Sequence, residues 1–323
     1  MKSVSVVVLV LVLLAPVAVQ AQQPAKAARI GVLSSLTADA PRAQALREGL
    51  RQYGYVEGRN IAIEWRPSSG RAERFAELAA DLVHRKVDII VASDNPAIAA
   101  ALGATKSIPI VMITATDPVG TGFISSLARP GGNITGLTFQ APEVQGKSLQ
   151  LLKEALPRAT RMAALWNPSE PGRRAPASEA ESAARALGLH FQLVGVSSAG
   201  ELATAFRRMA QQRCDAVIVQ ASQLTFAQRN EIAELAAANG IATMGWSGDV
   251  VEAGMLMSYG ASIPELYRRA GYYVDRILKG AKAGELPVEQ PTKFELTINL
   301  KTAKRLGITL PKAVVARADR TIE

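Results

Sequence analysis

The sequence predicts an α/β protein with two doubly wound, Rossmann-like lobes of parallel sheet, joined by a hinge that the chain crosses several times. Apolar runs of strand length alternate with amphipathic stretches of helix length along most of the chain. The strand-like runs are almost entirely apolar, which is typical of parallel sheets covered by helices on both faces. The alternation occurs in two successive series, and 323 residues are enough for two domains.

The first series follows Ala28 and forms most of the first predicted lobe. Its strand-like runs are 29–35, 60–66, 87–93, 108–114 and 133–139. The helix-like stretches between them are "APRAQALREGLRQYGY", "RAERFAELAADLVHRK" and "NPAIAAALGATKS". In the second of these stretches, Phe75, Leu78 and Leu82 fall on one helical face, which predicts that this face packs on the sheet.

The second series of strands and helices forms most of the second predicted lobe, and the carboxyl-terminal segment follows it. Its strand-like runs are 161–167, 190–196, 215–220, 241–246 and 255–260, and its helices lie near 174–188, 198–213 and 225–239. The tail adds an amphipathic helix at 263–281 and a strand at 293–300, so we expect the chain to return to each lobe in turn. The predicted lobes are 29–139 with 261–284, and 140–258 with 285–323.

The amino terminus has the pattern of a secretory signal peptide. Lys2 precedes an apolar run that ends in small residues at Val19 and Ala21, which predicts a signal peptide at 1–21 and cleavage near Ala21. The alternative is a membrane anchor, but the run is shorter than the ~20 residues that a spanning helix needs, and Pro16 interrupts it. We therefore expect an exported, periplasmic protein that is soluble after cleavage.

The composition excludes several classes of site. The single cysteine, Cys214, rules out a disulfide framework, and two histidines make a histidine-rich metal site improbable. The net charge of +9 comes from basic residues spread over many segments, so no nucleic-acid-binding tract is predicted. The segment "GGNITG" precedes a strand rather than a helix, which argues against a dinucleotide site. We expect no cofactor and no catalytic residue.

Polar side chains follow the predicted strands, where ligands bind in open parallel sheets. They occupy six strand ends: Ser34-Ser35, Ser93 to Asn95, Thr114 to Asp117, Trp166 to Ser169, Gln220 to Ser222, and Trp246-Ser247. Hydroxyls, amides, an acid and an aromatic face suit a small polar or zwitterionic molecule.

Each of these groups has a purely structural alternative. Asp117 before Pro118 is also a good helix cap, at about even odds with ligand contact. For Asp94, capping is the favoured role. Of the two tryptophans at strand ends, Trp246 is favoured over Trp166 as a ligand wall, since it closes its strand beside Ser247.

Six segments, spread in order over nearly the whole mature chain, carry a family resemblance. They are "LREGLRQYGYVEGRNIAIEWR", "DPVGTGFISSLARPGGNITGLTF", "KSLQLLKEALP", "LWNPSEP", "VEAGMLMSYGASIPELYRRAGYYVDRILKGAK" and "LPVEQPTKFELTINLKTAKRLGITLP". In these segments the chain resembles the exported substrate-binding proteins of ABC transporters, of the tryptophan/tyrosine-binding type. The resemblance implies the type I periplasmic-binding-protein fold, with ligand held between the lobes.

The resemblance also implies how the strand ends divide between the lobes. The turns at Ser34–Leu36, Ser93–Asn95 and Thr114–Asp117 would form one wall, and Asn167, Gln220 and Trp246 the other. The expected ligand-binding residues are therefore Ser34, Ser35, Leu36, Ser93, Asp94, Asn95, Thr114, Thr116, Asp117, Asn167, Gln220, Trp246 and Tyr259, the last of which would line the cleft or the hinge.

The predicted function is that of a solute-binding protein rather than an enzyme. It would capture a small molecule, with an amino acid favoured and an aromatic one included, and deliver it as a monomer to a membrane permease and its ATPase. Two alternatives stay open at this point. One is a periplasmic ligand-sensing subunit for a membrane receptor, and the other, less favoured, is a two-lobed α/β enzyme.

Overall fold

The computed structural model describes residues 27–140 and 144–323, so the predicted signal peptide lies outside the described residues. The strands in this part of the chain are β1 (Ala28–Ser34), β2 (Ile61–Pro67), β3 (Ile89–Ala92), β4 (Ile110–Thr116), β5 (Ile134–Gln140), β6 (Arg161–Trp166), β7 (His190–Gly195), β8 (Ala216–Val219), β9 (Ala242–Gly245), β10 (Met257–Ala261), β11 (Phe294–Asn299) and β12 (Arg320–Ile322).

The helices cover the faces of the two sheets. They are α1 (Pro41–Gln52), α2 (Phe75–His84), α3 (Asn95–Ala104), α4 (Val144–Ala155), α5 (Arg174–Ala186), α6 (Leu202–Gln211), α7 (Gln223–Ala227), α8 (Arg229–Ala238), α9 (Gly248–Glu252), α10 (Ile263–Leu278), α11 (Leu300–Arg305) and α12 (Lys312–Val315). The helix expected near 225–239 is thus two helices, α7 and α8, and α4, α9 and α12 were not predicted.

The two sheets repeat one topology. The first has the order β2-β1-β3-β4-β5, with every neighbouring pair parallel. The second contains the equivalent order β7-β6-β8-β9-β10, again parallel, and extends it with β11 and β12. The predicted class, two doubly wound α/β lobes, is confirmed. We call the first sheet with its helices lobe 1, and the second lobe 2.

The edge of the second sheet departs from the predicted all-parallel arrangement. β11 runs antiparallel to β10, and the unpredicted β12 runs parallel to β11. The reason lies in the path of the chain, because β10 leaves lobe 2 and β11 re-enters it from the opposite direction. β12 has two exposed residues out of three, so it carries little of the apolar signal by which strands are recognised.

The chain passes between the lobes at three places. β5 in lobe 1 is followed by α4, which packs against α5 in lobe 2. β10 is followed directly by α10, which packs on α1, β4 and β5 in lobe 1. The last passage comes after Glu289 rather than at 285, because Val288 and Glu289 still donate backbone hydrogen bonds to Leu127 and Gly136 of lobe 1.

Apolar packing holds each lobe together. One buried cluster contains Ile90, Met112 and Phe75 of lobe 1, and another contains Leu152, Met244 and Ile298 of lobe 2. A third runs without a break through both lobes. Among the described helices, none is both long and apolar enough to cross a membrane.

The contact between α1 and α10 brings two helix backbones unusually close. A Cβ atom on Gly49 would lie 2.0 Å from the carbonyl oxygen of Arg268, and one on Gly271 would lie 2.4 Å from the backbone carbon of Gly49. Only glycine fits at a crossing this tight. Since α1 and α10 lie more than 200 residues apart in sequence, this contact ties the late helix to the first lobe.

We predict that Gly49→Ala lowers the free energy of unfolding by about 3 kcal/mol, because the methyl group forces the two helices apart. The measurement is chemical denaturation followed by circular dichroism. Gly103→Ala in α3 is the matched control, since its methyl group would meet no atom within 4 Å. This control should be neutral or stabilising by up to about 1 kcal/mol. Equal effects of the two substitutions would contradict the prediction.

Candidate functional site

A cavity of about 60 Å³ lies between the lobes, at the carboxyl ends of both parallel sheets. In each sheet the strand order reverses beside the first strand, between β1 and β3 and between β6 and β8, which is where doubly wound sheets bind ligands. Lobe 1 lines the cavity with Ser35, Arg42, Ser93, Asp94, Thr114, Thr116, Phe139, Ile263 and Tyr267, and lobe 2 lines it with Arg173, Ala221, Ser222, Gln223, Phe226 and Trp246.

Six of the residues expected from the sequence line this cavity. They are Ser35, Ser93, Asp94, Thr114, Thr116 and Trp246. Two more lie directly behind its wall. Ser34 is buried and accepts a hydrogen bond from the Leu36 amide at 3.1 Å, and Asn95 is fully buried. Trp246 lines the cavity whereas Trp166 does not, which agrees with the preference for Trp246 drawn from the sequence.

The other expected residues do not line the cavity. The Asn167 side chain accepts the amide of Ser169 at 3.0 Å within its own turn. Tyr259 stacks on Phe294 with ring centroids 5.7 Å apart, within lobe 2. Leu36 lies beyond the first strand end without reaching the cavity, and Gln220 is buried beside the wall residue Ala221. The Gln220 amide nitrogen and oxygen have no hydrogen-bond partner among the described residues.

Asp117 stabilises a turn and does not line the cavity. Its backbone is left-handed, with φ of 47°, and its carboxylate accepts the amide of Gly120 at 3.0 Å. The expected helix after Pro118 does not form; residues 117–122 are a turn on the way to β5. Aspartate tolerates this conformation because its short side chain bonds to the nearby backbone. Of the two roles considered for this residue, the structure shows the backbone-capping one.

Asp94 both caps a helix and lines the cavity. Its carboxylate accepts the amide of Ala97 at 3.1 Å, at the start of α3, and the hydroxyl of Ser93 at 3.1 Å. Its side chain is partly buried and lines the cavity. Burial, with a smaller contribution from the nearby negative charge of Glu170, raises the pKa of Asp94 from 3.8 to about 6.

A buried ion pair enters the cavity from lobe 2. The Arg173 guanidinium donates to Glu170 from Nε at 3.1 Å and from Nη2 at 2.8 Å, and both side chains are nearly inaccessible. Its third nitrogen donates to the Thr116 hydroxyl of lobe 1 at 3.1 Å. Glu170 also accepts the Gln223 amide at 3.1 Å. A buried pair with every partner in place is far more stable than either charge alone.

Further hydrogen bonds join the lobes around the cavity. Asn95 of lobe 1 donates to the Pro171 carbonyl oxygen at 2.9 Å. The Gln223 side chain donates to the Ser68 hydroxyl at 2.7 Å, and both groups are buried. On the more exposed side, Nε of Arg42 donates to Asp249 at 2.9 Å. Side chains of the two lobes therefore contact each other directly around the cavity.

Aromatic rings supply the apolar part of the wall. Trp246 and Phe226 come from lobe 2, and Phe139 and Tyr267 from lobe 1. The guanidinium of Arg42 lies 4.4 Å from the centroid of the Phe226 ring, within range of a cation–π contact. Burial raises the pKa of the Tyr267 phenol, so it stays a neutral hydrogen-bonding group in the wall. Rings and polar groups together suit a ligand with an apolar body and a polar end.

Seven wall residues were missed from the sequence: Arg42, Phe139, Arg173, Gln223, Phe226, Ile263 and Tyr267. Ala221 and Ser222 also line the cavity; they belong to a strand end noted in the sequence but were not among the expected ligand-binding residues. Arg42 follows Pro41 in the first turn of α1, so attention to helix starts after strand ends would have found it. Glu170 and Arg173, three residues apart in a proline- and glycine-containing turn, offered a weaker signal. Nothing local marks Tyr267, since it is one apolar position of an amphipathic helix.

The cavity is not a metal site of the usual composition. Within residues 27–140 and 144–323, no cluster of three or more His, Cys, Asp or Glu side chains could hold a metal ion. The only thiol, Cys214, is buried away from the cavity, where burial raises its pKa to about 11. The site thus offers hydrogen bonds, paired charges and aromatic contact.

We predict that Gly172→Ala opens the lobes. Gly172 has a φ of 77°, and a Cβ atom there would lie 2.5 Å from Nδ2 of Asn95 and 2.7 Å from the Thr116 carbonyl oxygen, both in lobe 1. The expected result is a larger radius of gyration of the ligand-free variant in small-angle X-ray scattering. Gly188→Ala is the matched control, because Gly188 has a φ of 66° and no neighbour within 4 Å. An unchanged radius for Gly172→Ala would contradict the prediction.

We predict that Asp94→Asn stabilises the ligand-free protein at pH 7. The folded-state pKa of about 6 lies above the ordinary 3.8, so the folded state holds the proton more tightly, and stability is lost as the pH rises through this range. Asparagine keeps the helix cap without the charge. The free energy of unfolding should therefore rise by about 3 kcal/mol at most. A gain that is equally large at pH 3.5, where Asp94 is protonated, would contradict this account; Asp117→Asn is the control.

Comparison with known proteins agrees with this architecture. The profile of the ABC transporter substrate binding protein family matches residues 29–322. A tyrosine-binding protein of Clostridioides difficile strain R20291 is 28% identical over 261 residues, which cover 81% of this chain and 75% of that protein.

Two solved structures identify the class to which the fold belongs. An ABC domain from Streptococcus pneumoniae, in complex with L-Trp, is 27% identical with a TM-score of 0.84, covering 91% of this chain and 99% of that one. A leucine binding protein from Thermotoga maritima is 13% identical with a TM-score of 0.60, covering 80% and 84%. The fold is that of the type I periplasmic binding proteins. Because the family profile covers both lobes nearly end to end, the chain belongs to the ABC transporter substrate binding protein family.

Proposed function

We propose that this protein captures an amino acid, with aromatic ones favoured, by closing its lobes, and delivers it to the permease of an ABC importer. The observation that carries the proposal is the interlobe cavity, whose wall combines the partly buried carboxylate of Asp94 with aromatic rings. The two relatives support the ligand class, since one is named for tyrosine and the other holds L-Trp. Delivery would take place in the periplasm after removal of residues 1–21.

Each end of an amino acid has a complementary part of the wall. An ammonium group fits against Asp94 and the neighbouring hydroxyls of Ser93 and Thr114. An aromatic side chain fits against Trp246 and Phe226, which favour stacked or edge-on rings. Charge-assisted hydrogen bonds and one buried ring are sufficient for a micromolar dissociation constant, or about −8 kcal/mol.

Closure follows from the division of the wall between lobes. A ligand that touches both lobes binds the closed form better than the open one, and so shifts the population toward closed. The three passages of the chain between the lobes permit a hinge motion while keeping each sheet intact. The closed form would then present one continuous surface of both lobes to the permease.

The direct test is isothermal titration calorimetry of the purified protein with L-tyrosine and L-tryptophan, and with the other common amino acids for comparison. We expect a dissociation constant on the order of micromolar for at least one aromatic amino acid. Failure of every amino acid to produce heat or to raise the melting temperature would overturn the proposed function. Preference for a non-aromatic amino acid would overturn only the aromatic part of it.

We predict that affinity falls in acid. Asp94 must be ionised to pair with an ammonium group, and its pKa in the ligand-free protein is about 6. The dissociation constant should be nearly constant between pH 7 and 8.5, and should rise about tenfold per unit well below pH 6. Titrations of the wild type and of Asp94→Asn across this range test the assignment. The dependence should vanish in the variant, and a pH-independent wild type would contradict the role given to Asp94.

A further inference from the structure

The charged side chains that line the cavity differ in whether the protein itself supplies a counter-charge. Three charged side chains line it: Arg42, Asp94 and Arg173. Arg42 is already paired with Asp249, and its guanidinium also covers the Phe226 ring. Arg173 is already paired with Glu170 and bonded to Thr116. Both arginines therefore have carboxylate partners supplied by the protein.

Asp94 has no such partner. Its contacts are the neutral Ala97 amide and the neutral Ser93 hydroxyl, each at 3.1 Å. No ion pair to Asp94 within 4.0 Å is formed by any Lys, Arg or His of the described residues. Arg173 lowers the pKa of Asp94 and Glu170 raises it, so the influences of these two charges act against each other. A carboxylate that is largely removed from water and has no counter-charge is costly until a cation reaches it.

The charged side chains that line the cavity, together with the carboxylates that pair with the two arginines, have a net negative charge. Arg42 and Arg173 bring two positive charges, while Asp94, Asp249 and Glu170 bring three negative ones when all are ionised. One ligand cation neutralises this set. A ligand carboxylate, in contrast, would find no unpaired arginine among the lining residues and would add a fourth negative charge, so only neutral donors such as the Ser35 hydroxyl would be left to it.

From this imbalance we infer that the ligand's amine determines recognition and that its carboxylate contributes little, so the site takes aromatic amines as a class, of which amino acids are one case. The inference rests on the proposed function and names the group of the ligand that decides its affinity. Amino-acid amides and simple aryl-ethylamines belong to the accepted class. Aromatic propionates, which keep the ring and the carboxylate but lack the amine, are excluded from it.

The test uses three ligands of one size and shape: L-tryptophan, L-tryptophanamide and indole-3-propionate, with the matching tyrosine series alongside. Calorimetry should show the amide within about tenfold of the amino acid, because its ammonium is kept. The propionate should bind about 100-fold more weakly, since it brings no cation to Asp94 and adds a negative charge near it. A propionate that binds as well as the amide would overturn the inference. If no compound in either series binds, the proposed aromatic ligand fails as well, which is a separate outcome.

A pair of variants separates charge pairing from general effects on closure. Asp94→Asn should weaken the amide about 100-fold and should strengthen the propionate if it changes it at all, because one negative charge is removed, so the preference for the amine disappears. Asp117→Asn is the matched control, since Asp117 does not line the cavity and bonds to its own turn. It should keep the wild-type ratio of the two affinities. An amine preference that survives in Asp94→Asn would refute the assignment.

Discussion

The contact between the lobes depends on one buried amide, the side chain of Asn95. It accepts the Thr116 amide at 2.9 Å, donates to the Thr116 carbonyl oxygen at 2.8 Å, and donates to the Pro171 carbonyl oxygen of lobe 2 at 2.9 Å. The two bonds to Thr116 hold the start of α3 against the end of β4 within lobe 1, and the bond to Pro171 joins this unit to the Glu170–Arg173 turn of lobe 2. A buried amide group that loses a partner costs about 1–3 kcal/mol, so this bond opposes separation of the lobes.

The hydrogen bonds of Asn95 hold its neighbour Asp94 at a position where ionisation of the carboxyl group is unfavourable. Its helix cap and its serine bond offset only part of the cost of removing the charge from water, in line with the raised pKa. A protein selected for stability alone would have a neutral cap there. Under the proposed function, the retained charge is stability given up for ligand recognition.

The parts of this molecule that could be predicted from the sequence are those with a local signal. Apolar runs predicted both parallel sheets. The residues directly after those runs predicted part of the cavity wall, namely Ser35, Ser93, Asp94, Thr114, Thr116 and Trp246. Asp117 has the same local chemistry, but its turn leads the side chain to Gly120 instead, and local pattern does not distinguish the two outcomes. Arg173 and Tyr267 reach the cavity through tertiary packing of a turn and a distant helix, which leaves no mark in nearby residues.

The direct bonds between the lobes set the scale of free energy that a ligand would need to supply under the proposed function. The hydrogen bonds from Arg173 to Thr116, from Asn95 to Pro171 and from Gln223 to Ser68, with the Arg42–Asp249 pair, each contribute on the order of 1 kcal/mol, or about 4 kcal/mol together. A ligand that contacts both lobes, with a differential affinity of comparable size, would therefore be sufficient to decide between an open and a closed form.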